Sequence, residues 1–241
     1  MNKSTLIIAN AILILLTISC QNSDKKSTIT EVKYSGVLRT LMSGNIEPVI
    51  SLDSLSAKKH LYALGAVEKL KGEIQIFDGK PSNSFVVDSI LQMRDSYKLK
   101  ASLLVYAEVE EWTTSKISNI TTKSDLEELI LETAKGSGIN TEKPFPFLLE
   151  GTIASLDWHV INWKDTDSIH NHKKHKESGL NGTLNNKYVE ILGFHSTKHK
   201  AIFTHHTTNV HMHFKTKNNT IAGHIDDLEL SETLTLKLPK Q

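Results

Sequence analysis

The sequence predicts an α+β fold of two β-rich domains, with mixed or antiparallel sheets and few helices. Three observations carry this. Short β-prone runs recur along the chain, one stretch alone has a full set of helix signals, and two closely spaced prolines part the β runs into two groups. In chain order, Ser51-Leu52-Asp53-Ser54 offers polar caps to a short apolar-periodic stretch that ends before Gly65, predicting a helix near residues 54–62. Glu73-Ile74-Gln75-Ile76-Phe77 alternates as a strand does, and Asp78-Gly79 is a hairpin turn signal. Ser84–Asp88 and Leu99–Val109 read as further strands. Ser124 with Glu127 forms a capping box that opens a helix over Asp125–Ala134, and Gly136 stops it.

Lys143-Pro144-Phe145-Pro146-Phe147 punctuates the chain. Proline suits neither a helix interior nor a central strand, so this segment is expected to connect an N-terminal αβ domain (31–146) to a C-terminal β domain (147–241). Beyond it, Phe147–Trp163, Tyr188–Phe194, Thr207–Phe214 and Thr220–Leu230 are strand-like. Ile169–Gly182 lacks an apolar period and reads as a solvated loop whose His170, His172 and His175 are expected to do nothing specific, with weak metal binding as the alternative.

Composition narrows function. The chain has 28 Lys plus Arg against 27 Asp plus Glu, a formal net charge of +1, so there is no overall basic field to drive nucleic-acid binding. Its single cysteine cannot form an internal disulfide or a multi-thiolate zinc site. Histidine is the outlier: eleven of the 12 lie between His159 and His224. Imidazole is the commonest metal ligand, so that region is where chemistry is expected.

Residues 1–19 carry Lys3, then an apolar Leu6–Ile18, then Thr17-Ile18-Ser19 leading into Cys20. The run is short for a membrane span, and the order of parts is that of a secretory signal. A lipoprotein-type signal is expected, with Cys20 lipidated and residues 20–30 a polar tether; an ordinary signal peptide with a chance cysteine is the alternative. The expectation is an exported lipoprotein of the bacterial cell envelope, on the periplasmic or outer-membrane face, touching the membrane through its lipid only.

Thr207–Leu230 is the most informative segment. Val210, Met212 and Phe214 alternate with Asn209, His211 and His213, giving a strand with one apolar and one polar face. Asn218 and Asn219 suit the centre of a tight turn, because asparagine tolerates positive φ. Counting outward, Lys217 faces Thr220, Phe214 faces Gly223, and His213 faces His224, with His211 diagonal to His224. Opposed Cβ atoms lie about 4.5–5.5 Å apart and diagonal ones about 7–8 Å, so the three imidazoles can converge on one cation. Three nitrogens leave a fourth position open, as in a catalytic zinc site. Gly223 would let the Phe214 ring lie flat on the far face. His195, His199, His205 and His206 read as exposed rim residues.

His211-Met212-His213-Phe214, with His224 eleven residues after His213 and the run Ala222–Asp227 around it, resembles the zinc motif of the α-acetolactate decarboxylases. Gly65-Ala66-Val67, Gly72-Glu73-Ile74, Phe77-Asp78-Gly79, Glu150–Ser155 and Leu41-Met42-Ser43-Gly44 extend the resemblance, in order, over residues 34–230. The resemblance implies an αβ fold with two β-rich domains, usually dimeric, and a carbon–carbon lyase that converts (S)-2-acetolactate to (R)-acetoin and CO2. Zn2+ held by His211, His213 and His224 would stabilise the enediolate left when CO2 departs. Glu73 matches the family's active-site glutamate. His159 falls where the family has an arginine, so binding of the substrate carboxylate or proton delivery is expected to differ. The family's C-terminal glutamate has no counterpart in the residues after His224. Two further readings stand beside this one: an exported zinc-binding lipoprotein without turnover, motivated by the surplus histidines, and a zinc hydrolase with Glu73 as base.

Overall fold

The computed structural model describes residues 28–118, 120, 122–230 and 233–241. The expected signal peptide, Cys20 and most of the tether lie outside these residues. Among the described residues, no helix is long and apolar enough to cross a membrane.

The chain runs through β1 (Lys33–Ser35), α1 (Leu38–Met42), β2 (Ile50–Ser51), β3 (Leu61–Val67), β4 (Glu73–Phe77), β5 (Lys80–Pro81), β6 (Asn83–Val87), β7 (Ile90–Arg94) and β8 (Lys100–Glu108). These strands form one sheet of order β1-β8-β3-β4-β6-β7, with β2 on β8 and β5 on β4. Every pairing in it is antiparallel. Its turns follow local chemistry. Asp78-Gly79 and Asp88-Ser89 take positive φ at both central positions, which matches the right-handed twist of the strands they join. β3 is apolar and buried along its whole length, as expected for a strand covered on both faces.

The second sheet is built from β9 (Trp112–Ile117), β10 (Phe145–Val160), β11 (Leu180–His195), β12 (Val210–Thr216), β13 (Ala222–Glu229) and β14 (Leu234–Pro239), with α2 (Lys123–Gly136) and α3 (His172–Glu177) between strands. β10 and β11 form a long hairpin. The pairings β10–β11, β11–β12, β12–β13 and β13–β10 close into a ring, while β14 and β9 extend from the first half of β10. α2 buries Leu126, Ile130 and Ala134 against this sheet, together with Phe214, Trp158 and Leu236. The two sheets share a core of Tyr62, Leu64, Phe77 and Val105 from one and Leu148, Leu192 and Phe194 from the other. The expected β-rich α+β architecture is observed.

Several local expectations change. The helix expected at 54–62 is a 3₁₀ turn over Leu52–Leu55 that runs toward β3, because Leu52, Leu55 and Leu61 are drawn into one core. The capping box of α2 sits two residues earlier than expected, on Thr122 and Asp125, and Glu127 instead accepts the Asn209 amide hydrogen at 3.1 Å. Pro146 lies within β10 opposite Phe194. It is tolerated because β14 pairs with β10 only from Leu148 onward, so no partner on that edge needs its missing donor. The passage between sheets falls between Glu108 and Trp112, ahead of the proline segment, so β9 and α2 belong to the second sheet. The end of the expected tether is bound: Ile29 bridges Val109, and the Thr30 amide donates to the Glu108 carbonyl at 2.9 Å.

Candidate metal centre

The hairpin register is the expected one. His213 faces His224, Phe214 faces Gly223, and pairing continues to Lys215–Ala222. The turn is wider than two residues: the Thr216 amide donates to the Ile221 carbonyl at 2.8 Å, and the Thr216 hydroxyl accepts from the amides of Thr220 and Ile221. Gly223 serves a different purpose from the one expected. A Cβ there would lie 2.6 Å from the His159 carbonyl oxygen, so the glycine admits the backbone of β10 rather than the Phe214 ring.

Three imidazoles converge. His213 Nε2 lies 3.2 Å from His211 Nε2 and 3.4 Å from His224 Nδ1, and the three donor atoms fall within 4.8 Å of one another. A tetrahedral zinc with bonds of about 2.0–2.1 Å has ligand–ligand edges of about 3.3–3.4 Å, and the two edges that meet at His213 Nε2 are close to that length, so three neutral imidazoles here suit such an ion. Burial pushes His211 down to about 4 and holds His213 and His224 well below the usual imidazole range. All three rings are therefore neutral at neutral pH, the state that ligates metal. The cluster can hold a metal ion.

The first sheet supplies the surroundings. Gln75 Oε1 accepts from His213 Nδ1 at 2.9 Å, which leaves Nε2 unprotonated and aimed at the cluster. Gln75 is itself held, donating through Nε2 to the Ser82 carbonyl at 2.7 Å and to Ser84 Oγ at 3.0 Å. Glu73, two residues earlier on the same face of β4, is buried with Oε2 3.8 Å from His213 Nε2. Its Oε1 accepts the Ile161 amide hydrogen at 3.2 Å. Burial holds the Glu73 carboxyl well above its usual range, with Asp226 adding to the rise.

His159 stands directly beside the triad. It pairs with His224 across β10 and β13, and their ring centroids are 4.9 Å apart. Its Nε2 is 3.9 Å from Glu73 Oε1 and its Nδ1 is 2.9 Å from Asp226 Oδ1. Both residues assigned catalytic roles from the sequence, Glu73 and His159, thus reach the same place from different sheets. Asp226 also meets Lys176 Nζ at 3.0 Å. Burial alone would raise its carboxyl, but the hydrogen bonds from His159 and Lys176 outweigh that and hold it below the usual range. Sequence reasoning gave no role to Gln75 or Asp226. The signal was there for Gln75, which lies two residues from Glu73 on a strand that returns to the same face every second residue, whereas Asp226 sits at a break in the β13 register that alternation does not foretell.

The cluster opens into a cavity of about 750 Å³ lined by Glu73, His159, His211, His224 and Asp226, with α1 and the 201–208 segment opposite. His205 and His206 also line it, His206 exposed as expected and His205 half-buried. Other expectations for histidine change at His172, His175, His195 and His199, the last being half-buried with Nδ1 2.7 Å from Ser196 Oγ. His172 and His175 lie on α3 rather than in a loop, and His172 Nε2 is 3.8 Å from Asp226 Oδ1. His175 is buried, its Nε2 3.0 Å from His170 Nδ1, with His170 stacked on Trp163. His195 is fully buried because it ends β11 opposite Val210 and stacks on Phe145 at 4.9 Å.

Fold and site together define a two-sheet β-rich protein with a three-histidine centre at the meeting of its sheets. Residues 33–240 match the sequence family described as alpha-acetolactate decarboxylase, and the chain belongs to that family. The alpha-acetolactate decarboxylase of Bacillus subtilis strain 168 is similar in structure, with 16% identity, a TM-score of 0.68, and coverage of 88% of this chain and 86% of that one. The acetolactate decarboxylase of Bacillus subtilis subspecies spizizenii gives 16% identity and a TM-score of 0.66, covering 88% and 87% of the two chains. A Staphylococcus aureus protein of unknown function, described as similar to alpha-acetolactate decarboxylase, gives 14% and 0.64 with coverage of 88% and 87%. At these identities the likeness speaks for the fold. No curated protein sequence matches the chain.

Proposed function

We propose that the protein is a zinc-dependent lyase that decarboxylates 2-acetolactate, or a related 2-hydroxy-3-keto acid, to acetoin and CO2. The observation that carries this reading is the convergence of Glu73 and His159, from opposite sheets, on the His211–His213–His224 cluster. Bound there, zinc supplies a Lewis acid for the negative charge that develops on substrate oxygens. The residues supply the rest. As the bond to the carboxylate breaks and CO2 leaves, the electron pair moves toward the neighbouring carbonyl oxygen, and a proton must return to carbon. Glu73, buried and raised, holds that proton at its carboxyl group and delivers it from one side, which sets the handedness of the product. His159, anchored through Nδ1 by Asp226, keeps Nε2 turned to Glu73 and the cavity, at the position where the family has its arginine.

The test is CO2 and acetoin release from racemic acetolactate by purified, zinc-loaded residues 21–241. Turnover with one zinc per chain is expected. Tightly bound zinc with no CO2 would remove the substrate; several loosely bound ions with no turnover would favour a zinc-storing role for the surplus histidines.

The proposal extends to location: Cys20 is lipidated and anchors an exported protein. Incorporation of labelled palmitate, lost in Cys20→Ser, is the expected result, and equal labelling of both would overturn it.

A further inference from the structure

The cavity is large for its proposed substrate. Pockets of about 300–1,000 Å³ take drug-sized ligands, whereas a five-carbon acid leaves most of 750 Å³ unfilled. The space beyond the histidine cluster has a defined character. Ile161, whose amide binds Glu73, begins an apolar wall that continues through Ala66, Leu70 and Leu103 to Leu41 on α1. Two residues before Leu41, Arg39 lines the same cavity and is solvent-exposed. Its backbone is fixed, the amide donating to the Ala201 carbonyl at 3.0 Å, next to Leu38 on Ile202 at 2.7 Å. Among the described residues no acid forms an ion pair with Arg39. Lys123, another cation of the lining, is committed to the Asp226 carbonyl at 3.2 Å.

We propose that the natural substrate is a longer 2-hydroxy-3-keto acid with a second anionic group, and that Arg39 binds that distal group across the apolar wall. This rests on the lyase reading above. A guanidinium matches a carboxylate with two parallel N–H donors, and such charged hydrogen bonds correspond to about a ten- to hundred-fold gain in binding.

The test compares kcat/KM for acetolactate with that for an analogue whose acyl tail ends in a carboxylate, using zinc-loaded wild type and Arg39→Gln. A preference of about ten-fold or more for the diacid is expected, carried mainly by KM, collapsing in Arg39→Gln and partly restored in Arg39→Lys. No preference, or one that survives Arg39→Gln, overturns the proposal. If neither compound is decarboxylated, binding of 2-hydroxyadipate against 2-hydroxyhexanoate separates the two ideas. Tighter hydroxyadipate binding that depends on Arg39 keeps the subsite while the lyase reading falls; equal binding removes the subsite as well.

Discussion

Asp226 holds the ring of His159, Oδ1 to Nδ1 at 2.9 Å, and it does so from a β-bulge. β13 pairs Asp227 with Asp157 and then Ile225 with Trp158, so Asp226 is an extra residue with no partner in the β10 ladder. Bulges re-aim side chains, and this one turns a carboxylate under His159. Asp226→Ala is expected to lower kcat/KM about 10- to 100-fold, the usual cost of losing such an orienting partner, while zinc content stays at the wild-type value. Steady-state kinetics with metal analysis checks both, and loss of zinc in step with activity would count against an orienting role.

Glu73→Gln tests the proton source. Glutamine keeps an acceptor for the Ile161 amide and nearly the same volume, so folding and zinc binding are retained. The expected loss in kcat is about 10²- to 10⁴-fold, the range for a general acid. Rapid-quench measurement of CO2 release, alongside thermal melts, distinguishes this from simple unfolding.

Gln75→Leu removes the acceptor for His213 Nδ1 and frees the ring to rotate or change tautomer. Zinc affinity is expected to fall about 10- to 100-fold, measured by competition with a chromophoric chelator. His213→Ala should abolish stoichiometric zinc binding while leaving the far-ultraviolet circular dichroism unchanged. Wild-type zinc affinity in His213→Ala would contradict the assigned ligand set, and in Gln75→Leu it would contradict the orienting role of Gln75.

His195 predicts acid sensitivity. Burial pushes it down to about 4, against 6.5 for a free imidazole. Above pH 6.5 the ring is neutral both folded and unfolded and adds no pH dependence. As pH falls from 6.5 to 4, the unfolded chain takes up the proton first, so stability declines, by about 3 kcal/mol over the whole window. His195→Phe keeps a ring against Phe145 and removes this part of the slope. Urea midpoints at neutral and mildly acidic pH are expected to differ less in the variant; His175, His205 and the three clustered histidines, which burial also holds low, leave slope behind.

Introducing a methyl group at Gly223 drives a Cβ to 2.6 Å from the His159 carbonyl. Gly223→Ala is therefore expected to lower thermal stability and weaken zinc binding together, because β13 must move off β10 and carry His224 with it. Differential scanning calorimetry and zinc titration on the same sample check the coupling.

What could be read directly from the residues was local and periodic. Alternation on β12 and the count across the Asn218-Asn219 turn put His211, His213 and His224 on one face, because side chains in a strand repeat every second residue and opposed strands share a register. The Asp78-Gly79 turn and the helix after Ser124 were legible for the same reason, except that the cap was misread by two residues, since Thr122 and Asp125 satisfy the same rule. The proline segment and the 54–62 stretch misled, because their outcome depends on which edges other strands leave open and which core draws in the leucines.

Nothing in the spacing of Glu73, His159 and His224 reveals that they meet. Resemblance singled out Glu73 and His159, but only the packing of β4 from one sheet against β10, β12 and β13 of the other brings their side chains to one cavity. Likewise Asp226 acts through a bulge that exists only once β13 is held between β10 and β12, and Gln75 and Arg39 acquire their roles from elements far away in the chain. The amino-acid order by itself determined the three-histidine hairpin, whose geometry needs one turn and two neighbouring strands. Tertiary structure alone decided what surrounds it, because a site between two sheets depends on long-range packing that no local period encodes.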